Sequence, residues 1–250
     1  MGLMNSEDEL LKKRFLDLSN KAYSREICTF TGFLGLLEMD VFHRIKSELS
    51  YVNVTMFGGN PEFERQIIRF GDLETPFPIS CIHITPSLKK FSDELNHRDF
   101  LGAIINLGIK RETLGDIIIL DNEAYVFCLD NIADFICDNL TRVKHTSVKC
   151  NIAASIPEKF YNRTENKELN VASLRLDAII GEIYKLSRSQ SQNIIRERRV
   201  FVNGRLTENN SYEVKADDKV TVRGMGKFIM GDSVRTTKKG RLFVNARIFI

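Results

Sequence analysis

The sequence predicts an α+β protein in three parts. These are a mostly helical N-terminal region over residues 1–77, a ferredoxin-like α/β middle domain over 78–153 and, after a polar linker at 154–170, a basic helix–helix–hairpin module over 171–250. Three observations carry this reading. Apolar residues recur at helical spacing through the early part of the chain. From Pro78 the pattern changes to β-α-β-β-α-β. The last third is dense in Lys and Arg: residues 171–250 hold 16 against 8 Asp and Glu, whereas residues 1–170 hold 20 against 25.

In the first part, Leu10, Leu11, Phe15 and Leu18 give one amphipathic helix. Residues 29–39, with Phe30, Phe33, Leu34, Leu36 and Leu37, read as a second, and residues 40–49 as a third. A strand is expected over 51–57, ended by Gly58-Gly59-Asn60-Pro61, then a helix over 62–70. In the middle part, strands are expected over 79–84, 116–120, 124–129 and 147–153. A helix over 96–107 has Phe100, Leu101, Ile104 and Ile105 inside, and a second helix covers 131–140. This order suits a split βαβ sheet, the architecture that RRM domains also use, but the aromatic RNP1 run of an RRM is missing.

The C-terminal module is the most specific stretch. Ala178, Ile179, Ile180 and Ile183 form the apolar face of a helix that should stop near Lys185. A second helix follows, with Ser189 as N-cap, Gln192 as its capping-box partner, and Ile194 and Ile195 inside. Val200-Phe201-Val202 is a strand, and Asn203-Gly204 suits a type I′ hairpin turn, which needs φ > 0 at both positions. Another strand runs over 219–223 and a terminal one over 242–250. Arg188, Arg196, Arg198, Arg199 and Arg205 crowd into this module. The opening turn of the second helix adds free N–H groups and a positive dipole end. Ser187, Ser189, Gln190 and Gln192 add neutral donors. Such a surface grips phosphate and positions a nucleic acid without reading much sequence; the alternative is a solvated helix face.

This order of elements, with its Ser187-Arg188-Ser189 cap and Val200-to-Gly204 hairpin, resembles an S4 (αL-type) RNA-binding domain. The resemblance implies RNA-facing roles for Arg175, Ser187, Arg188, Ser189, Arg196, Asn203 and Lys227, with Arg198, Arg199 and Arg205 as additions. Lys238, Lys239 and Arg241, on a turn beside Gly240, extend the basic surface. The complete layout, and the string from His97 to Ile117 in particular, resembles the YlmH family of bacterial S4-domain proteins. That resemblance implies a monomeric, cytoplasmic, non-catalytic factor. It would bind rRNA or tRNA at the large ribosomal subunit, in rescue or quality control of stalled translation.

Other functions find little support. No stretch approaches 18 consecutive apolar residues, so no membrane-spanning helix is expected. The five cysteines include no C-x-x-C pair, and the four histidines have no metal-ligand spacing, so no metal or cofactor is expected. His97-Arg98-Asp99 has the letters of a kinase catalytic loop but lacks its Asn, its D-F-G and its glycine-rich loop; Asn96 reads as a helix cap and Asp99 as an early acidic residue. Two enzyme classes that carry S4 modules also fit poorly. The Arg-Leu-Asp of a pseudouridine synthase occurs only as Arg175-Leu176-Asp177, inside the S4 helix, and a methyltransferase's glycine-rich loop is absent. The remaining alternative is an RNA-modifying enzyme whose S4 module delivers substrate to a pocket formed by His97, Arg98, Asp99 and Arg111. An unpaired Asp99 beside His97 would favour it.

Overall fold

The structure is a computed structural model, and it describes residues 6–157, 164–237 and 240–249. The chain divides into two compact units, Met1–Tyr161 and Asn162–Ile250.

The first unit begins with α1 (Ser6–Arg25), which buries Phe15, Ser19 and Ala22. Residues 29–39 do not form the expected helix. They open with β1 (Thr29–Phe30), and α2 (Leu36–Ile45) starts only after the Gly35 cap, ending in a single 3-10 turn, Lys46–Leu49. The cause is tertiary: the Phe33 N–H donates to the Glu112 carbonyl at 2.7 Å, and a Cβ on Gly32 would lie 2.6 Å from that oxygen. β2 (Val54–Phe57) and β3 (Ile67–Phe70) complete a small antiparallel sheet of order β1-β3-β2. The helix expected over 62–70 is therefore a strand in its second half. Ile68 donates its N–H to the Thr31 hydroxyl at 2.9 Å and accepts from the Thr31 N–H at 3.0 Å. This pairing, with two adjacent β-branched residues, outweighs a short apolar run whose period is ambiguous.

The rest of the unit follows the predicted order. β4 (Ile79–Pro86), α3 (His97–Ile105), β5 (Leu114–Leu120), β6 (Glu123–Leu129), α4 (Asp130–Asn139), β7 (Arg142–Val143) and β8 (Thr146–Ile152) build a sheet of order β5-β6-β4-β8-β7. Its four long strands have the split βαβ order. One cluster packs Phe100, Ile104, Ala133 and Ile136 of the helices on Ile82, Ile84, Val126 and Cys128 of the sheet. A second cluster joins Cys81, Tyr125 and Phe127 to Phe33, Phe63 and Ile67 of the N-terminal layer. The sheet is thus buried on both faces.

Arg65 fastens the two layers. Its guanidinium donates to the carbonyls of Leu114 (2.8 Å), Phe33 (2.8 Å) and Arg111 (3.1 Å). The Glu64 and Arg65 N–H groups donate to the Asp116 carboxylate at 2.8 and 3.1 Å.

The second unit begins with β9 (Thr164–Val171), so the later half of the segment expected to be a linker is a strand. It looks like a linker because, as the outermost strand of its sheet, it buries only Leu169 and Val171. Then come α5 (Leu176–Tyr184), α6 (Arg188–Arg196), β10 (Val200–Val202), β11 (Arg205–Leu206), β12 (Lys219–Val222), β13 (Gly226–Thr236) and β14 (Leu242–Phe249). The strands form an antiparallel sheet of order β11-β10-β12-β13-β14-β9. Ile179, Ile180, Ile183, Ile194 and Ile195 of the two helices share its core with Val200, Val220, Phe228, Met230, Val244 and Ala246. As expected, α5 stops at Lys185, which takes the left-handed conformation at φ 55°, and Asn203 and Gly204 turn with φ 51° and 78°.

Two features set α6 against α5. A Cβ on Gly181 would lie 3.0 Å from the Ser191 hydroxyl, so the helices approach closely there. Buried Asp177 accepts from Arg175 at 3.0 and 2.9 Å and from the Gln192 amide at 3.1 Å. Burial alone would raise this carboxyl's pKa; the hydrogen bonds from Arg175 and Gln192 and the Arg175 charge outweigh it and hold the pKa below the ordinary value.

Both ties can be tested by substitution. Arg65→Met removes a donor from three carbonyls, of which that of Leu114 keeps the Arg111 guanidinium and that of Arg111 keeps the Leu114 N–H. It should lower the stability of the first unit by about 1–3 kcal/mol. Urea unfolding followed by circular dichroism checks this, and an unchanged midpoint would show that the carbonyls do not depend on Arg65. For Asp177 the folded-state pKa lies below the unfolded one, near 3.9. Its contribution is therefore complete above about pH 4 and is lost as the pH falls through the lower folded value. Hydrogen exchange in α5 and α6, taken relative to the intrinsic rate at each pH, should accelerate across that acidic range in the native protein. In Asp177→Asn it should already be faster at neutral pH, and equal rates in the two proteins would refute the tie.

Candidate nucleic-acid interface

The cationic surface of the second unit centres on α6. Its N-cap is Ser187, two residues before the Ser189 that the sequence suggested. The Ser187 hydroxyl accepts from the Gln190 N–H at 3.3 Å, and the Gln190 side chain accepts from the Ser187 N–H at 2.8 Å. Either serine begins a Ser-x-x-Gln box, and the left-handed Lys185 ends α5 so close that the earlier one is used. The cap leaves the N–H groups of Arg188 and Ser189, in the first turn, without intrahelical acceptors. Ser187, Arg188, Ser189 and Gln190 are all exposed. The Ser187 and Ser189 hydroxyls lie 3.1 Å apart. This end of α6 therefore presents outward N–H groups, hydroxyls and a guanidinium, a set suited to phosphate oxygens.

The remaining candidates divide by what their side chains already hold. Arg188, Arg196 and Arg205 are exposed and form no ion pair with a described residue. Arg198 leaves the helix at φ 58° and lies 3.4 Å from Glu208, both side chains exposed, a pairing that solvent screens heavily. Arg199 is a strut: it donates to the Arg223 carbonyl at 3.2 and 2.8 Å and lies 3.3 Å from Glu197. Arg175 is held by Asp177. Asn203 supports its own hairpin, donating to Asp218 at 2.7 Å and accepting from the Lys219 N–H at 2.9 Å. Asp218 also accepts from Tyr212 at 3.0 Å and from the Lys215 N–H at 2.8 Å. Arg241 clamps Asn170 through its side-chain oxygen and its carbonyl, both at 2.6 Å. Lys227 stands 4.3 Å above the Phe249 ring. Lys238 and Lys239 lie outside the described residues.

Two other cations are not among the residues that the sequence singled out. Arg235 and Arg247 sit beside the rings of Phe243 and Phe249 on β13 and β14. The alternation of Leu242–Phe249 was the available signal.

The first unit brings the residues of the alternative pocket only partly together. His97 lies within reach of the Arg111 and Asp116 charges, where burial and the Arg111 charge hold its pKa below the ordinary value, but Asp99 is engaged elsewhere. Asn96 caps α3 through its side chain, accepting from the Arg98 and Asp99 N–H groups at 2.9 and 3.3 Å. Asp99 in turn accepts from the Asn96 N–H at 2.8 Å and pairs with Lys144 at 2.8 Å. The Lys144 and Asn96 hydrogen bonds hold its carboxyl below the ordinary carboxylate range. Arg111 donates to the carbonyls of Leu114 and Gly115 at 2.8 and 3.3 Å; burial, aided by neighbouring Arg65, brings its pKa down to about 10. Asp99 is thus a paired capping residue and Arg111 a structural one. Among the described residues no group of His, Cys, Asp and Glu is arranged to hold a metal, and no helix is long and apolar enough to cross a membrane.

The sheet of the first unit does carry rings on a central strand, although no RNP1 run marks them. Tyr125 and Phe127 alternate along β6, yet each is only 5% exposed. Phe127 meets Phe63 edge-on with centroids 4.7 Å apart, and Tyr125 stacks on His83 at 4.3 Å. Bases cannot reach either ring as it stands.

Comparison with known proteins agrees with this division. Residues 73–155 match the family model described as "Putative RNA-binding domain in YlmH", and residues 174–220 match the S4 domain. The chain is 28% identical over 220 residues to the "Ribosome-associated protein quality control protein P2" of Bacillus subtilis (strain 168), covering 84% of this chain and 83% of that one. Its fold is similar to that of the "Cell division protein ylmH from Streptococcus pneumoniae", with a TM-score of 0.51 and 16% identity over 64% of this chain and 96% of the other. The chain thus joins a region that matches the YlmH RNA-binding domain to one that matches the S4 domain, and in this order of domains it is similar to YlmH-like S4-domain proteins.

Proposed function

We propose that this chain is a non-catalytic, cytoplasmic, monomeric protein that docks on structured ribosomal or transfer RNA of the large ribosomal subunit, in rescue or quality control of stalled translation. One observation carries the proposal. The rigidly seated helix α6 directs its uncapped N–H groups, Ser189, Arg188 and Arg196 to solvent, and neither arginine is committed to a described carboxylate. Folded RNA offers closely spaced phosphates that such a surface can engage at several points. The ribosomal part of the proposal draws on the Bacillus subtilis relative, whose name describes a ribosome-associated quality-control protein. The RNA-modifying alternative gains nothing from the first unit, where Asp99 is paired with Lys144.

Sedimentation with purified ribosomal subunits at low and high salt tests this reading. The chain should travel with the large subunit at low salt and leave it as salt rises. Tight binding to free tRNA without co-migration would redirect the role to tRNA handling. The paired change Arg188→Ala with Arg196→Ala should weaken binding to structured RNAs whatever their sequence. It should also reduce the slope of log affinity against log salt by roughly two, about one for each phosphate that is no longer neutralised. An unaltered slope would mean that α6 is not the binding face.

A further inference from the structure

The second unit has another exposed face, on the side of its sheet away from α5 and α6, formed by strands beyond the residues that match the S4 domain. Along β14 the side chains alternate. Val244 and Ala246 are buried in the core, so Phe243, Asn245, Arg247 and Phe249 point the opposite way. The register continues this face into both neighbours. Arg235 stands opposite Phe243 and Ile229 opposite Arg247, while Asn170, Glu168, Asn166 and Thr164 of β9 stand opposite Phe243, Asn245, Arg247 and Phe249. Lys227 lies on the same side. Arg235, Asn245 and Arg247 are exposed and both rings are half-buried.

Each ring on this face has at least one cation over it. The Lys227 ammonium is 4.3 Å from the Phe249 centroid, the Arg247 guanidinium 6.0 Å from the same ring, and the Arg235 guanidinium 5.8 Å from Phe243. Glu168, the carboxylate among these register-paired positions, pairs with Arg235 with both side chains exposed, a contact that solvent screens and that leaves Arg235 able to turn to a phosphate. Asn166, Asn170 and Asn245 are neutral amides. Rings that accept the flat face of a base, next to cations placed for the adjoining phosphate, are the combination that binds unpaired nucleotides with little sequence preference. A duplex, whose bases are already stacked, gains little from such rings. An acidic protein would use the cations and leave the rings idle.

We propose that the outer face of β13 and β14 is a second RNA-binding surface, specific for single-stranded segments, with Phe243 and Phe249 as stacking platforms and Lys227, Arg235 and Arg247 as their phosphate partners. It rests on the RNA-binding reading above but uses a different face and a different form of RNA.

Fluorescence anisotropy of the full chain with a labelled oligouridine, and separately with a labelled RNA hairpin that has a long duplex stem, tests the proposal. Phe243→Ala with Phe249→Ala should lower oligouridine affinity roughly tenfold or more. Hairpin affinity and the salt slope should barely change, because no charge is removed. Phe243→Tyr with Phe249→Tyr keeps the rings and should restore oligouridine binding, which separates stacking from a folding defect. Arg188→Ala with Arg196→Ala should show the reverse preference, with hairpin binding falling further than oligouridine binding. Equal oligouridine affinity in the native and double-alanine proteins would overturn the proposal, as would native protein that ignores oligouridine. In both cases, co-sedimentation with ribosomal subunits would still report on α6 independently.

Discussion

The buried carboxylate of Asp177 is the constraint on which the cationic surface of the second unit depends. A carboxylate out of water must be paired and hydrogen-bonded or it will not stay ionised. Asp177 meets this by drawing Arg175 back from the start of α5 and Gln192 across from α6. The interaction thereby joins the two helices at the same crossing where Gly181 admits Ser191. Once α6 is seated, the capping box of Ser187 and Gln190 determines which N–H groups remain outward, and Ile194 and Ile195 keep the opposite side of the helix in the core. The exposed guanidiniums of Arg188 and Arg196 are then carried by a rigid element, which lowers the entropy that each phosphate interaction must overcome.

The first unit shows the reverse use of similar chemistry. Arg65 and Arg111 direct their donors to backbone carbonyls, and Asp116 receives the N–H groups of Glu64 and Arg65. These bonds hold the N-terminal layer over the sheet and cover Tyr125 and Phe127. A split βαβ sheet is thereby closed on the face where related architectures keep rings open for bases. An RNA contact by this unit would draw on its edges, loops or helix surfaces, or on the cavity that Phe57, Phe77, Ile79 and Phe127 line, rather than on open stacking rings.

Elements whose outcome rests on a residue's own chemistry were legible in the sequence. Asn203-Gly204 tolerates positive φ and made the hairpin visible; Ile179, Ile180 and Ile183 marked the inner side of α5; Asn96 and Asp99 formed the box at α3. Elements decided by a distant partner were not. Residues 62–70 carry a short apolar run that is equally suited to helix and strand, and Thr31 settles it. β9 looks like a linker because an outer strand with six of its eight side chains outside the core resembles one. Ser189 and Ser187 offer competing caps, and the choice belongs to the preceding turn. The rings of β6 were legible as residues, but their burial under Phe63 was not.

The hardest property to read was which charges are available. Counting Lys and Arg gives the electrostatic potential that attracts RNA from a distance, since every charge contributes to that field whether or not it is paired. Direct contact with phosphate asks for more: a donor not already committed. Arg175, Arg199 and Arg241 serve mainly to hold a carboxylate, a carbonyl and an asparagine, so losing one of them should act on binding through the fold. Arg188, Arg196 and Arg205 have little structural duty among the described residues, so losing one should act on binding alone. The module separates these tasks in space. Its fastened arginines brace the helix entry, the junction between the start of β10 and the end of β12, and the outer strand, and its unfastened ones stand on α6 and β11, where the braced elements present them.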